Sequence, residues 1–404
     1  MKSLIILKGV SKFHKKSWVD KERLGNYFVD IDIIRKLYSS PELVAKDFPI
    51  LNKSFGDTVY HRFLEAICLR MSRGCLIVID PDMERCDVFE TLAFIHGYQV
   101  FYVYQEPPQD YLKKPRKYSV SYYPLKKKSE MERDIQEIRS FDKTGKNLIN
   151  SFNELRDYWI DAAEKDQIFP ADGKILLVSD LHSNSSLAKK LPDFKKYDRV
   201  IFFGDYIDGP EEGGSRKLID KVVKSKSTKI SWLEGNHELR LRRYLGYLML
   251  KEFGKKGLAD LLYSTLPEDF LKTTAEEFKN LSGTQAKTYL EKLNAKLKMF
   301  IILGGKYICT HSGLRFREQL DPRFIGNVIY GNRDMGRYDK DFSTGHASLG
   351  LWSIHAHCKY FDSWEALRYD RVVNLDPPSE NEIVYGELYK DKVKICLIEK
   401  SQSK

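Results

Sequence analysis

Val200-Ile-Phe-Phe-Gly-Asp205-Tyr-Ile-Asp208 joins an apolar run to two carboxylates. Four β-branched or aromatic residues predict a buried strand over 200–203, and the glycine after them predicts the turn at its carboxyl end. The neighbouring sequence repeats that construction. Upstream, the strand-like run 175–179 leads into Asp180-Leu-His182; downstream, residues 230–233 lead into Gly235-Asn236-His237-Glu238. Polar side chains placed where parallel core strands end converge at one edge of a sheet, so the three segments predict an α/β domain with a ligand site there.

The residue types suggest what that site holds. A phosphate ester repels nucleophiles with its own negative charge, and two divalent cations a few Å apart neutralise it. Carboxylate, imidazole and amide oxygens are the donors such cations take. Two more strand-like runs add to the set: Tyr307-Ile-Cys-Thr310 precedes His311, and Leu351-Trp-Ser-Ile354 precedes His355-Ala-His357. Seven candidate metal ligands thus follow five strands: Asp180, His182, Asp205, Asn236, His311, His355 and His357. Five of the nine histidines fall at these places, a distribution that ordinary core and surface histidines would not produce.

This ordered pattern, Asp-x-His, Gly-Asp-x-x-Asp, Gly-Asn-His-Glu, a lone His and a final His-x-His, resembles the calcineurin-like metallophosphoesterases over about residues 172–400. The resemblance implies an αββα sandwich and two divalent metal ions, with manganese first and iron, zinc or nickel also suiting the donors. It assigns Asp180, His182 and His357 to one ion, Asn236, His311 and His355 to the other, and Asp205 as the bridge. His237 becomes the acid that protonates the leaving oxygen, with Asp208 holding its ring. The chain departs from the family at two points. Ile354 stands where a glycine precedes the final His-x-His, a change expected to alter the backbone turn while leaving both imidazoles in register. Gly209 and Pro210 follow Asp208 where the protein Ser/Thr phosphatases carry a phosphate-binding arginine, which argues against a protein substrate. Arg240, Arg242 and Arg243 offer a substitute cation or a solvated helix face.

The amino-terminal part is organised differently. Residues 4–7, 76–80 and 99–104 read as strands, and the helix-length segment 85–96 closed by Gly97 makes the last two a βαβ unit. A first strand running into Gly9 and then Lys15-Lys-Ser17 invites comparison with a phosphate-binding loop. With Asp32 and Arg35 further on, Asp80 at a strand end and basic residues after Tyr104, the order resembles the 5′-hydroxyl polynucleotide kinases over about residues 3–140. The resemblance implies ATP held with magnesium by Gly9, Lys15 and Ser17, Asp32 as the base, Arg35 on the acceptor phosphate and Arg116 as a lid arginine. His14 replaces a loop glycine and Lys16 replaces the magnesium-binding hydroxyl, and both weaken ATP binding.

The expected organisation is a P-loop-kinase-like parallel sheet (1–140), a helical linker (141–171) and the metallophosphoesterase sandwich (172–404). Residues 240–298 form a helical insertion, either a cap on the site or an elaborated surface. The segments 371–375 and 393–399 are expected to close the second sheet. The 404 residues suffice for two cores. No apolar run is long enough to span a membrane, and six cysteines without close-paired spacing predict free buried thiols in a reducing, cytoplasmic setting. A net charge of +10 favours polyanionic partners. Lys113, Lys114, Arg116, Lys117 and Lys126 to Lys128 interleave with Tyr111, Tyr118, Tyr122 and Tyr123, a mixture that suits nucleic acid or plain solubility.

The function that follows is removal of a 3′-phosphate or a 2′,3′-cyclic phosphate from nucleic-acid ends, RNA favoured over DNA. One alternative is a phosphatase for protein or small-molecule esters with the front domain as a docking module; another is a nucleic-acid-binding protein with an idle metal site.

Overall fold

The computed structural model describes residues 1–31, 34, 44–45, 48–49, 56–81, 86–114, 128–313, 321, 323, 351–357, 368–369, 372–377, 379 and 381–399. Asp32, Arg35, Arg116, Cys358 and most of the basic and tyrosine-rich stretch after Lys114 lie outside them. The chain divides into two compact units, Lys2–Phe94 with Tyr98–Tyr158, and Trp159–Lys404 with Ile95–Gly97 and Met1.

The amino-terminal unit is built on four parallel strands, β1 (Lys2–Lys8), β2 (Phe28–Asp30), β3 (Ile77–Asp80) and β4 (Tyr98–Tyr104), in the order β2-β3-β1-β4. Their side chains explain the arrangement. β1 is buried along its whole length and β3 likewise, the pattern of strands covered on both faces. Helices α1 (Lys12–Lys21), α2 (Gly56–Met71) and α3 (Cys86–His96) alternate with the strands, and Phe63 of α2 meets Phe89 of α3 edge-on at 5.8 Å. Gly97, at φ +71°, ends α3 in the left-handed conformation that glycine tolerates best. Two further helices follow, α4 (Lys128–Arg139) and α5 (Phe152–Asp166), and the boundary between the units falls within α5. In this sheet the chain leaves β1 for a strand beyond β3, and leaves β3 for a strand beyond β1. The connections diverge at the carboxyl ends of β1 and β3, where open α/β sheets bind ligands.

The second unit stacks two six-stranded sheets. One has the order β9-β8-β7-β6-β15-β16, from β6 (Ile175–Val178), β7 (Arg199–Phe202), β8 (Ile230–Leu233), β9 (Leu297–Lys298), β15 (Glu382–Tyr389) and β16 (Lys392–Glu399). The other has the order β13-β14-β12-β11-β10-β5, from β5 (Ile168–Phe169), β10 (Phe300–Leu303), β11 (Tyr307–Thr310), β12 (Trp352–His355), β13 (Arg368–Tyr369) and β14 (Val372–Asn374). Alternate residues of each, among them Ile175, Leu177, Ile201, Ile301, Cys309, Ile354 and Val373, form one apolar layer between the sheets. Helix α6 (Gly214–Lys224) follows β7, and α7 (Glu238–Glu252), α8 (Lys256–Ser264), α9 (Glu268–Lys272), α10 (Thr274–Phe278) and α11 (Gly283–Lys296) make up the insertion. The start of α11 is written locally, with Ser282 and Gln285 forming a capping box.

The structure changes three expectations. The last strand closes the first sheet instead of the second: β16 pairs with β15, a strand not anticipated, and β15 pairs antiparallel with β6. Ile354 does not disturb a turn, because it continues β12 between Cys309 and Val373 and fills the core. Of the cysteines described, all free, only Cys68 and Cys309 are buried. Among the described residues no helix is long and apolar enough to cross a membrane.

Candidate metal centre

The carboxyl ends of β6, β7, β8, β11 and β12 carry the predicted ligands. Their loops are knitted together through the backbone: Leu181 and His182 N–H both donate to Asp205 O, and Ser183 N–H to Tyr206 O. Glu238 completes the knot. Its carboxylate accepts from the backbone N–H of Asp205 (2.9 Å), Tyr206 (2.8 Å) and Gly235 (2.9 Å). Burial and the Asp205 charge push that carboxyl up to about 8, against three donors that favour its ionised form. Two glycines permit the approach. A Cβ on Gly204, at φ +105°, would stand 2.7 Å from Gly235 N, and one on Gly235 would stand 2.2 Å from Asp205 Oδ1. His182, Ser183, Asp205, Asp208 and His357 all hold positive φ, a strained conformation for side-chain-bearing residues that collects at functional sites.

Two clusters of donors share Asp205. One donor atom from each of Asp180, Asp205, His311 and His357 lies within 4.8 Å of the others, and the same holds for His182, Asp205 and His237. Asp205 Oδ2 is 3.4 Å from His311 Nε2, 3.4 Å from His357 Nδ1 and 3.7 Å from His237 Nε2. Asp180 faces His311 Nδ1 at 3.5 Å and His182 Nε2 at 3.9 Å. Asn236 joins through its Oδ1, 3.1 Å from His311 Nε2, and the Nδ1 of that ring meets Phe203 O at 2.7 Å, which leaves Nε2 as the nitrogen that could take a metal.

These donors fit divalent metal. Asp180 and Asp205 are buried, yet neither oxygen of Asp180 nor Oδ2 of Asp205 is in a hydrogen bond of ordinary geometry. Burial, then the Asp205 charge, pushes the Asp180 carboxyl well above the usual range. Burial would raise Asp205 too, but His237 and His311 hold it well below. Two carboxylates so close ionise together only beside a cation. Burial also pushes His355 down to about 4 and lowers His357, so both rings are the neutral imidazoles that metals bind. His355 is fully buried with Nδ1 on Ala356 O, outside both clusters.

The calcineurin-like phosphoesterase family matches residues 173–378, the stretch that carries every one of these donors. The chain belongs to this family. No curated protein matches it. Among solved structures, a protein serine/threonine phosphatase from Saccharomyces cerevisiae with similarity to human phosphatase PP5 is 13% identical, covers 68% of this chain and 97% of its own, and has a TM-score of 0.36. A likeness that loose bears no conclusion.

Beside the phosphoesterase's metal cluster stands a second assembly. His237 Nδ1 meets Asp208 Oδ2 at 2.8 Å, Arg240 Nη1 donates to the same oxygen at 3.0 Å, and Thr274 Oγ1 donates to Asp208 Oδ1 at 2.5 Å. Burial pulls the His237 imidazole down, but Asp205 and Asp208 outweigh it and hold the ring above its ordinary value, as a proton donor requires. Thr274 begins α10, so the insertion contributes one hydrogen bond to this assembly. The three arginines separate. Arg242 is buried against Glu234 and Asn294, and Arg243 donates to Leu239 O and Thr265 O, while Arg240 alone of the three touches Asp208. Sequence reasoning missed Thr274, and also Asp376, whose charge acts on Asp180 and His357.

The residues expected to hold ATP are arranged otherwise. Only Gly9, Val10 and Ser11 separate β1 from α1, so Lys15 and Ser17 lie within the helix, and Ser11 caps it by accepting from His14 N–H. Lys15 is buried, with Nζ 2.5 Å from Asp80 Oδ1, while Ser17 is exposed two residues on, where helix geometry turns it away. In this arrangement Lys15 is committed to Asp80, and the backbone N–H groups of His14 and Lys15 are taken by Ser11.

Proposed function

We propose that the phosphoesterase unit hydrolyses phosphate esters at nucleic-acid ends, RNA favoured over DNA, with two divalent metal ions held by Asp180, His182, Asp205, Asn236, His311, His355 and His357. The observation that carries the hydrolysis is the pair of buried carboxylates of which three oxygens, both of Asp180 and Oδ2 of Asp205, take no hydrogen bond of ordinary geometry and face imidazole nitrogens instead. When bound, the metal ions supply the charge neutralisation that a phosphoryl centre needs before it can be attacked. The chain's own residues do the rest. His237, kept protonated by Asp205 and aligned by Asp208 through Nδ1, gives its proton to the leaving oxygen. Glu238 holds the β7 and β8 loops at the separation this requires.

The choice of substrate rests on the amino-terminal unit. Its parallel order β2-β3-β1-β4 and the switch point between β1 and β3 support the likeness to polynucleotide kinases, and the net charge of +10 suits a polyanion. With Lys15 tied to Asp80, that unit binds an end in preference to transferring phosphate. Five free thiols support a reducing, cytoplasmic setting.

The test follows phosphate release, with manganese and without ATP, from single-stranded RNA ending in a 3′-phosphate or a 2′,3′-cyclic phosphate, with Asp205→Ala as the blank. Release abolished by the substitution is the expected result. Faster release from a phosphopeptide or a small-molecule ester would replace the substrate and leave the chemistry.

A further inference from the structure

The loop after Asp208 has no room for a cation of its own. A Cβ on Gly209 would stand 1.7 Å from His182 O, so the backbone of one metal-binding loop presses on the other and no side chain fits at that position. A dianionic phosphoryl group still needs a fixed positive charge at its non-bridging oxygens, and it must come from another element.

We propose that Arg240 supplies it: its guanidinium contacts the phosphoryl oxygens of the substrate and makes the site selective for phosphomonoesters. This rests on the phosphoesterase function proposed above and narrows it, favouring a 3′-phosphate over a 2′,3′-cyclic phosphate. Arg240 lies in the first turn of α7, three residues after His237, which puts the two side chains on one helix face. Its Nη1 is 3.0 Å from Asp208 Oδ2 and 3.5 Å from His237 Nδ1, so the guanidinium lies beside the ring that protonates the leaving group. The side chain is 23% exposed, and its hydrogen bonds to Asp208 and His237 both run through Nη1. Asp208 is thereby a brace. It fixes one corner of a planar fork and leaves the other donors for an anion. The contrast with Arg242, whose Nε and Nη1 are both committed to buried partners, is what selects Arg240.

A monoester dianion carries one more negative charge on its non-bridging oxygens than a diester monoanion. Removing the fork therefore costs the monoester more.

The experiment compares wild type, Arg240→Ala, Arg240→Lys and Thr274→Val, all loaded with manganese and checked for unchanged metal content. Each is assayed on 4-nitrophenyl phosphate and bis(4-nitrophenyl) phosphate, which share a leaving group. Binding of inorganic phosphate is measured by calorimetry. For Arg240→Ala we expect kcat/KM to fall about 100-fold on the monoester and less than about tenfold on the diester, with phosphate bound about tenfold more weakly. Arg240→Lys regains part of the monoester loss, because lysine supplies charge without the fork. Thr274→Val, which removes only a brace on Asp208, lowers both esters alike and leaves phosphate binding unchanged, as befits a positioning residue. Equal losses on both esters in Arg240→Ala, or undiminished phosphate binding, would overturn the proposal while the phosphoesterase function stands. Wild-type protein that cleaves neither ester would overturn both.

Discussion

Two crevices at the carboxyl ends of parallel strands can be compared within this one chain. In the phosphoesterase unit, β6, β7, β8, β11 and β12 deliver carboxylates and imidazoles that crowd together and leave both Asp180 oxygens and Asp205 Oδ2 outside any hydrogen bond of ordinary geometry. In the amino-terminal unit the corresponding crevice, between β1 and β3, holds one buried lysine and one buried aspartate that satisfy each other at 2.5 Å. A parallel sheet provides the place in both cases. Whether the place awaits a ligand depends on whether its charged groups cancel. The backbone differs in the same sense: the metal loops hold five side-chain-bearing residues at positive φ, whereas a capped regular helix follows β1.

The comparison breaks most completely at Asp205, which both donor clusters share. Asp205→Ala is expected to lower phosphoesterase turnover by about 10³-fold or more and to reduce bound metal, read by steady-state assay and elemental analysis. Retained metal and activity would mean that the two clusters do not depend on their common member.

In the other crevice, Lys15→Met leaves Asp80 buried and uncompensated, and is expected to cost about 3–5 kcal/mol in urea denaturation. Adding Asp80→Leu should return most of it, since a matched apolar pair replaces a matched ionic one. ATP with magnesium should leave the melting temperature of the wild-type protein where it was; a Lys15-dependent rise would show that the crevice opens to nucleotide and would erase the contrast.

His237→Ala is expected to slow hydrolysis of alkyl phosphates by about 10²-fold while sparing metal content and affecting aryl phosphates less, because a good leaving group needs no proton. Loss of metal instead would place His237 among the ligands, as its membership of the second cluster allows.

The smallest expected effect concerns Glu211. Burial raises its carboxyl, but the hydrogen bonds from Ser185 and Ser186 and the charge of Lys217 outweigh that and hold it at about 2. The folded value lies below the ordinary one, so its contribution is complete above about pH 4.5 and is lost as pH falls toward about 2. Being partly solvated, it is worth about 1 kcal/mol or less. Glu211→Gln should therefore lower stability slightly at neutral pH and make a smaller difference near pH 2, as read by denaturation at both values.

Much of this was legible in the chain itself. The run 230–233 and its successor Asn236 needed only local pattern, because a short apolar strand and a turn are decided by neighbours in sequence. The strand β15 was not, since its alternation of buried and half-buried positions resembles many surface segments until β6 is seen beside it. The glycine and lysine of the amino-terminal loop were ambiguous for a related reason: their spacing is the same whether the intervening residues form an open loop or a helix, and Ser11 decided for the helix by capping it.

By itself, the sequence determined which residues end the strands of the phosphoesterase unit and that their donors suit divalent metal, because strand formation and ligand chemistry are properties of short segments. Only the tertiary structure decided that Arg240 and not Arg242 lies against Asp208, that Thr274 reaches across 66 positions to the same carboxylate, and that Lys15 closes on Asp80 from 65 positions away. Those partners meet through the packing of whole elements, and no local pattern in the chain specifies which of several identical side chains the packing will bring to the site.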